Sequence, residues 1–429
     1  MRSVSILSTT GLVTLVICLF FCTELRSVIT LAMPIFVVVL SHFMFNVKAT
    51  CENLLCLVLS CISAMVGIIS GNIDFANVII YYWLAFPLLY LYLCKIEYDR
   101  RTISWNLFWP VLCNVVIIVD VLGLFSLLIF GTPDDFGRAY GLHFKGVSGL
   151  SMVNGMLSLY YLAKYLRKKA NRQDIVMMIV FLMGSVLCFS GLTLLTYTFT
   201  LILYFVFSAS IRKIIAVIPF VAIIGYLLTK SALGIMEYNI NNVMILANED
   251  QREENARKTV MFQRFVTLNE KHPLMILTTG VGTSGYNSRS CFLINKDANN
   301  IFTSVLGHHM PKYHGQDIYP LWNNGIIKMY TDGARNKPFS SLISIWAETG
   351  FVFFVILSFV WFKRLRFYFI KSKVDSEFLF LFLLNLFVYF LLLTEYWLES
   401  SEFLLFIILQ SLLIAKKTRI RKLKIQLIK

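Results

Sequence analysis

The sequence predicts an all-α fold: a polytopic integral membrane protein of about twelve transmembrane helices with one large extracytoplasmic loop. Three observations predict it. Of the 429 residues, 58% are hydrophobic and only 15% charged, and the mean hydropathy is +0.71, which is not the composition of a soluble domain. The apolar residues gather into runs of roughly 20, the length at which a helix crosses the hydrocarbon. Lys and Arg alternate strongly between successive connections, as topology signals do.

In chain order, the apolar runs lie near 5–22, 27–45, 53–72, 76–94, 107–130, 147–166, 174–191, 193–210, 214–229, 341–362, 377–395 and 402–415. Each must be helical, because a spanning segment without internal hydrogen bonds leaves its backbone unsatisfied in lipid. The first run has no small-residue cleavage site, and more spans follow, so it reads as a helix rather than a signal peptide. The chain divides into a body at 1–229, a polar loop at 230–340, three final helices at 341–415 and a basic tail at 416–429.

The net charge of +15 does not indicate nucleic acid. Of the 39 basic residues, 24 fall on one side of the predicted spans, 12 in the large loop and 3 (Arg26, Arg138 and Lys145) in short connections of the loop's side. Positive charge stays in the cytoplasm, so both termini are expected there and the loop outside. The tail then anchors at an anionic leaflet. Eight of nine cysteines lie in or beside predicted helices, and Cys291 alone cannot staple the loop, so no disulfide framework is expected.

Two outer connections are polar enough to build a site. Residues 131–146 hold Arg138, His143 and Lys145 among turn formers. In the large loop, 248–268 reads as an amphipathic helix with acid-first pairs Glu253/Arg257 and Glu254/Lys258, spaced to support a helix. Arg257 and Arg264 share a face across Met261. Either this is a solvated face laced by ion pairs, or an arginine clamps a diphosphate through its bidentate fork. Gly280, Gly282 and Gly285 formally match G-x-G-x-x-G, but a dinucleotide site needs a strand–turn–helix unit in the cytosol. A turn that lets the backbone pass close to a ligand or helix is the better reading. His308, His309, His314 and Asp317 crowd together without a metal-site spacing. One of these histidines suits proton transfer instead, since imidazole titrates near neutral pH.

Acids also fall within or beside predicted spans. Asp120 sits mid-span and should face the bundle interior, either as a hydrogen-bonded structural group or as a proton relay. Glu348 lies about two turns into the helix after the loop. Glu395, Glu399 and Glu402 share the last outer hairpin, at a depth to meet the loop arginines.

The helix after the loop opens with S-x-x-x-x-W-A-E-T-G (Ser341 to Gly350, preceded by Ser340), and the loop contains HPLMILTTGVGTSGY, with Pro273, Gly280, Gly282, Gly285 and Tyr286. Arg138 is followed by ten residues and then Gly149. Together with the layout of spans and loop, these segments resemble the O-antigen polymerase and ligase superfamily. Ligases of that superfamily carry a His-Asn pair at the start of this helix; Pro338-Phe-Ser-Ser stands here, which favours polymerase.

The resemblance implies an enzyme, a metal-independent glycosyltransferase without cofactor, acting in the bacterial inner membrane. Its substrate is an oligosaccharide repeat on polyprenyl diphosphate, and membrane lipids surround it. A chain-length regulator and a flippase of the same pathway are its expected partners. Such a polymerase transfers the growing chain onto the next lipid-linked repeat, with lipid diphosphate leaving. Arg138, Arg257 and Arg264 are the expected diphosphate cations, and Glu348 or a loop histidine is the expected base. His143, Lys145, Gly280, Gly282, Gly285, Tyr286, His308, His309 and His314 are the expected substrate-binding residues. A ligase and a lipid-linked oligosaccharide flippase or other transporter are the alternatives, although flippases usually have short loops and internal repeats.

Overall fold

A computed structural model describes residues 31–39, 46–97, 105–130, 147–188, 191–208, 257–323, 325 and 337–428. Arg138, His143 and Lys145, the runs at 5–22 and 214–229, and the acids Glu253 and Glu254 lie outside the described residues.

The described chain is mostly helical. In order it forms α1 (Met33–Val39), β1 (Asn46–Lys48), α2 (Cys51–Ile69), α3 (Phe75–Leu93), β2 (Lys95–Glu97), α4 (Trp105–Phe130), α5 (Val147–Leu166), α6 (Arg172–Leu187) and α7 (Gly191–Phe207). After the undescribed stretch come α8 (Arg257–Lys271), α9 (Pro273–Thr278), α10 (Arg289–Ile294), α11 (Ile301–Leu306) and a π-helical turn (His314–Ile318). The long helices α12 (Ser341–Ser372), α13 (Ser376–Thr394) and α14 (Ser401–Ile428) close the chain. The small antiparallel pair joins Val47 to Ile96.

Five of the described helices are long and apolar enough to cross a membrane: α2, α3, the central part of α4, α12 and α13. At 1.5 Å per residue, the 19 residues of α2 reach about 29 Å, close to one hydrocarbon thickness. The polar residues at the ends do the punctuation. Asn171 accepts from the Asp174 amide at 2.7 Å to start α6, and Asp375 accepts from the Glu377 amide at 2.9 Å to start α13. Each satisfies one of the donors a helix start leaves open.

The bundle core is built on α5, α13 and residues 401–415 of α14, which are buried nearly all round. In lipid, helices associate through packing and hydrogen bonds rather than a hydrophobic drive. Accordingly, Trp361 of α12 stacks on Tyr92 of α3 with ring centroids 4.5 Å apart. Asn385 of α13 donates to Gln410 of α14 at 2.7 Å, a bond worth about 0.6 kcal/mol in such a setting. At the end of α12 remote from Ser341, Lys416 pairs with Glu377 at 2.6 Å and Lys417 with Asp375 at 2.5 Å. These pairs border a cavity of about 480 Å³, also lined by Lys164 and Lys169.

A second, smaller core sits at the opposite end of α12. The buried stripe Lys258, Met261, Phe265 and Leu268 on α8 recurs every three or four residues. Its apolar members pack with Ile276, Val281, Tyr286 and Ile318 against Ile343 and Ala347 of α12. The described part of the polar loop therefore folds onto the bundle and shares residues with it.

Candidate functional site

The site begins with a break in α12. Gly350 has φ 86° and ψ 161°, a conformation open to glycine because it has no Cβ. A break there removes the intrahelical partners of the Ala347 and Glu348 carbonyls. The glycine-rich turn supplies replacements: the Val281 amide donates to Ala347 O at 2.8 Å, and the Gly282 amide to Glu348 O at 3.1 Å. Ser63 of α2 donates to the same Glu348 carbonyl at 2.6 Å. Gly280, at φ 70°, passes so close that a Cβ would lie 2.5 Å from the Ala347 oxygen. Gly282 crosses Gly67 of α2, and Gly285 lies over Ile73.

The Glu348 side chain completes the contact. Its Oε2 accepts from the Ser284 amide at 2.9 Å. Its Oε1 accepts from the amides of Tyr286, Asn287 and Ser288 at 3.1, 3.0 and 2.9 Å. Four converging N–H groups make an anion nest, and the nest is filled by the protein's own carboxylate. Glu348 is buried. Both oxygens of this expected proton acceptor are engaged by backbone donors, so the side chain holds the turn. The Lys258 ammonium turns inward to Thr394 O and to Glu395 at 3.4 Å, and its expected acid-first partner Glu254 lies outside the described residues.

The last outer hairpin is tied to the same unit. Glu399 Oε2 accepts from the Ser290 amide at 2.8 Å and from the Ser290 hydroxyl at 2.5 Å. Arg289 donates to the Glu399 carbonyl at 2.8 Å. Burial, together with the charge of nearby Glu348, pushes the Glu399 carboxyl up to about 7. Ser341 donates to Glu395 O at 2.9 Å and accepts from the Leu398 amide at 3.1 Å. Asn77 of α3 donates to Ser284 O at 3.3 Å. Ser63, Asn77, Arg289 and Ser290 are functional supports that sequence reading misses. Their partners lie 109 or more positions away, so no local pattern marks them.

Arg264 is held on α8 and donates to the Asp317 carbonyl at 2.6 Å. The Asp317 carboxyl rises above its usual range through burial, while Arg264 and Lys271 pull it down. Arg257 stands at the first position of α8. Tyr286 is buried with its ring 6.2 Å from Phe265.

The three histidines diverge despite their closeness in sequence. His308 is exposed and directs Nδ1 to Asn295 O at 2.9 Å. His309 faces Asp74 through Nδ1 at 2.9 Å and Leu306 O through Nε2 at 2.8 Å. With acceptors on both sides, its imidazolium is favoured, and the hydrogen bond to Asp74 raises its pKa. His314 donates Nδ1–H to Tyr286 O at 2.7 Å, and burial pushes it down to about 4. Among the described residues, no group of three or more His, Cys, Asp or Glu is arranged to hold a metal ion.

The structure thus brings Glu348, Gly280, Gly282, Gly285, Tyr286 and His314 into one buried unit, with Arg264 at its edge, while His308 and His309 stand apart. Compared with known proteins, the chain matches no family model, no curated protein and no solved structure.

Proposed function

We propose that the chain is a membrane glycosyltransferase that polymerises oligosaccharide repeats carried on polyprenyl diphosphate, at the outer leaflet of a bacterial cytoplasmic membrane. The observation that carries this reading is the Glu348 contact. It joins two segments that separately resemble the polymerase and ligase superfamily, the Pro273–Tyr286 stretch and the Ser341–Gly350 helix start, although they lie some 60 positions apart. In this reading, the apolar runs form about twelve spans, both termini are cytoplasmic, and 230–340 faces outward.

The acceptor hydroxyl oxygen attacks the anomeric carbon of the growing chain. The bond from that carbon to the diphosphate oxygen breaks, and its electron pair leaves on the diphosphate. Arg138, Arg257 and Arg264 answer that charge, as guanidinium groups do best. The hydroxyl proton goes to His308, an exposed residue whose Nδ1 is engaged by Asn295 O, so Nε2 is the nitrogen that faces the acceptor. Glu348 holds the turn.

Two variants address these roles. His308→Gln is expected to slow polymer synthesis by about 10²-fold or more, the usual weight of a positioned base, with the protein inserted normally. A normal rate moves the proton elsewhere. Arg138→Ala is expected to lose most polymer, and normal polymer length removes Arg138 from the mechanism. The whole reading is tested on a surface-polysaccharide gel of a strain lacking the gene. A single repeat per acceptor, with the ladder restored on complementation, is expected. Polymer retained on its lipid carrier indicates a ligase, and repeats trapped at the inner leaflet indicate a flippase.

A further inference from the structure

Asp120 lies in the interior of α4, flanked by Ile117, Ile118, Val119 and Val121. It is buried, and among the described residues no Lys or Arg pairs with it. Its partner is Asn154 of α5, also buried, whose Nδ2 donates to Asp120 Oδ1 at 2.8 Å. The other oxygen of each side chain, Asp120 Oδ2 and Asn154 Oδ1, is buried with no hydrogen-bond partner. Gly184 of α6 covers the pair: a Cβ there would lie 2.7 Å from Asp120 Oδ2 and 3.0 Å from Asn154 Cγ. The neighbouring hydroxyls are already engaged, since Ser151 donates to Ser185 O at 3.0 Å and Ser185 to Ser151 O at 3.1 Å.

Two buried acceptors without a donor, on side chains that are hydrogen-bonded to each other, cost several kcal/mol in an apolar setting. One particle relieves both. We infer that Asp120 and Asn154 form an intramembrane proton site, in which a proton on Asp120 Oδ2 donates to Asn154 Oδ1 and closes a two-hydrogen-bond acid–amide ring latching α4 to α5 beneath Gly184. The ring leaves neither oxygen orphaned and removes the charge from the apolar core. A hard metal cation fits poorly, because such ions take about six or more oxygens and only two are open here. The titratable group facing the pair from α6 is the Cys188 thiol at its C-terminal end.

The consequence is a latch that reads proton availability. When the proton leaves, an anionic oxygen faces an amide oxygen, and the contact between α4 and α5 weakens. Stability from the latch is complete where both the folded and the unfolded chain hold the proton, and it is lost as pH rises through the titration of the folded acid. This property is independent of the polymerase reading.

The test uses the full chain in lipid nanodiscs, comparing wild type, Asp120→Asn, Asn154→Asp and the swap Asp120→Asn/Asn154→Asp. Infrared spectra at neutral pH are expected to show a protonated-acid carbonyl band that vanishes in Asp120→Asn and returns in the swap. The thermal midpoint of wild type and swap should fall together as pH rises through the titration of the acid, while Asp120→Asn loses this part of the fall. Asn154→Asp should fall most steeply, because two acids then share the site. Should Asp120→Asn fail to fold, Asn154→Ala keeps the test open: the acid band should shift to that of an unbonded acid. A carboxylate band in wild type, a fall with rising pH unchanged by Asp120→Asn, or a midpoint that follows sodium concentration would overturn the proposal. The last of these outcomes would assign the pair to a metal cation.

Discussion

At the scale of single residues, the placement of Glu348 separates support from chemistry. Removing its carboxylate strands four buried N–H groups, at roughly 1–3 kcal/mol each. Glu348→Ala is therefore expected to cut the yield of folded protein severely. Glu348→Gln, which keeps an acceptor but turns an amide group onto donors, should fall between. Polymer synthesis per folded molecule should stay near wild type in Gln, whereas a collapse of that ratio at full yield would make Glu348 the base after all. Glu399 carries a pH prediction. Its folded carboxyl sits at about 7, above the unfolded value of about 4.3. Stability from this group is complete below about 4.3 and declines as pH rises through about 7. Glu399→Gln should flatten that interval of the melting-midpoint profile, and an unchanged slope would point to another titrating group. His314 acts in the opposite direction: its folded value near 4 leaves stability intact above about 6.5 and loses it as pH falls through about 4.

At the scale of elements, the break in α12 is the device that couples loop to bundle. Gly350→Ala incurs about 1–3 kcal/mol from its positive φ with extended ψ and also drives a Cβ into the Thr278 carbonyl. Gly71 is the natural control, with φ 67° and nothing within 4 Å of its would-be Cβ. The expectation is a mild loss of thermal stability for Gly71→Ala and a much larger one for Gly350→Ala; equal losses would mean that the close approach contributes nothing. Helix positions were legible in the sequence because a membrane span is a run of length, not of pattern. The run at 147–166 coincides with α5, and that at 377–395 with α13 within a residue. The end of α12 was not, since Lys363, Arg364, Arg366 and Lys371 end the apolar run while the helix continues to Ser372. Those charges need not sit in lipid, and Arg364 instead donates to Leu93 O and Cys94 O at the end of α3. The glycines, Tyr286 and Glu348 were singled out in the sequence, but not as partners of one another. A carboxylate that seeks four amides some 60 residues upstream leaves no periodic trace. The histidines diverge for a related reason: the backbone turns between Leu306 and His314, and sequence neighbours part company.

At the scale of the whole molecule, the two ends of the bundle differ in kind. The Ser341 end is held by backbone amides gathered on buried acids, and the remote end by Lys–acid pairs around an open cavity. That polarity accords with an outward catalytic face and a cytoplasmic basic face. Membrane-impermeant labelling of single cysteines should modify position 274, an exposed Leu on α9, from outside and position 420 only after permeabilisation. The reverse pattern would invert the topology. The central claim is polymerisation itself, and the most direct measurement is reconstitution of the purified chain in liposomes with polyprenyl-diphosphate-linked repeats supplied at the outward face. The account predicts lipid-linked products of two, three and more repeats, with one free polyprenyl diphosphate released per bond formed and no dependence on added metal. Repeats that cross the bilayer without being joined, or that remain single in every arrangement, would contradict it.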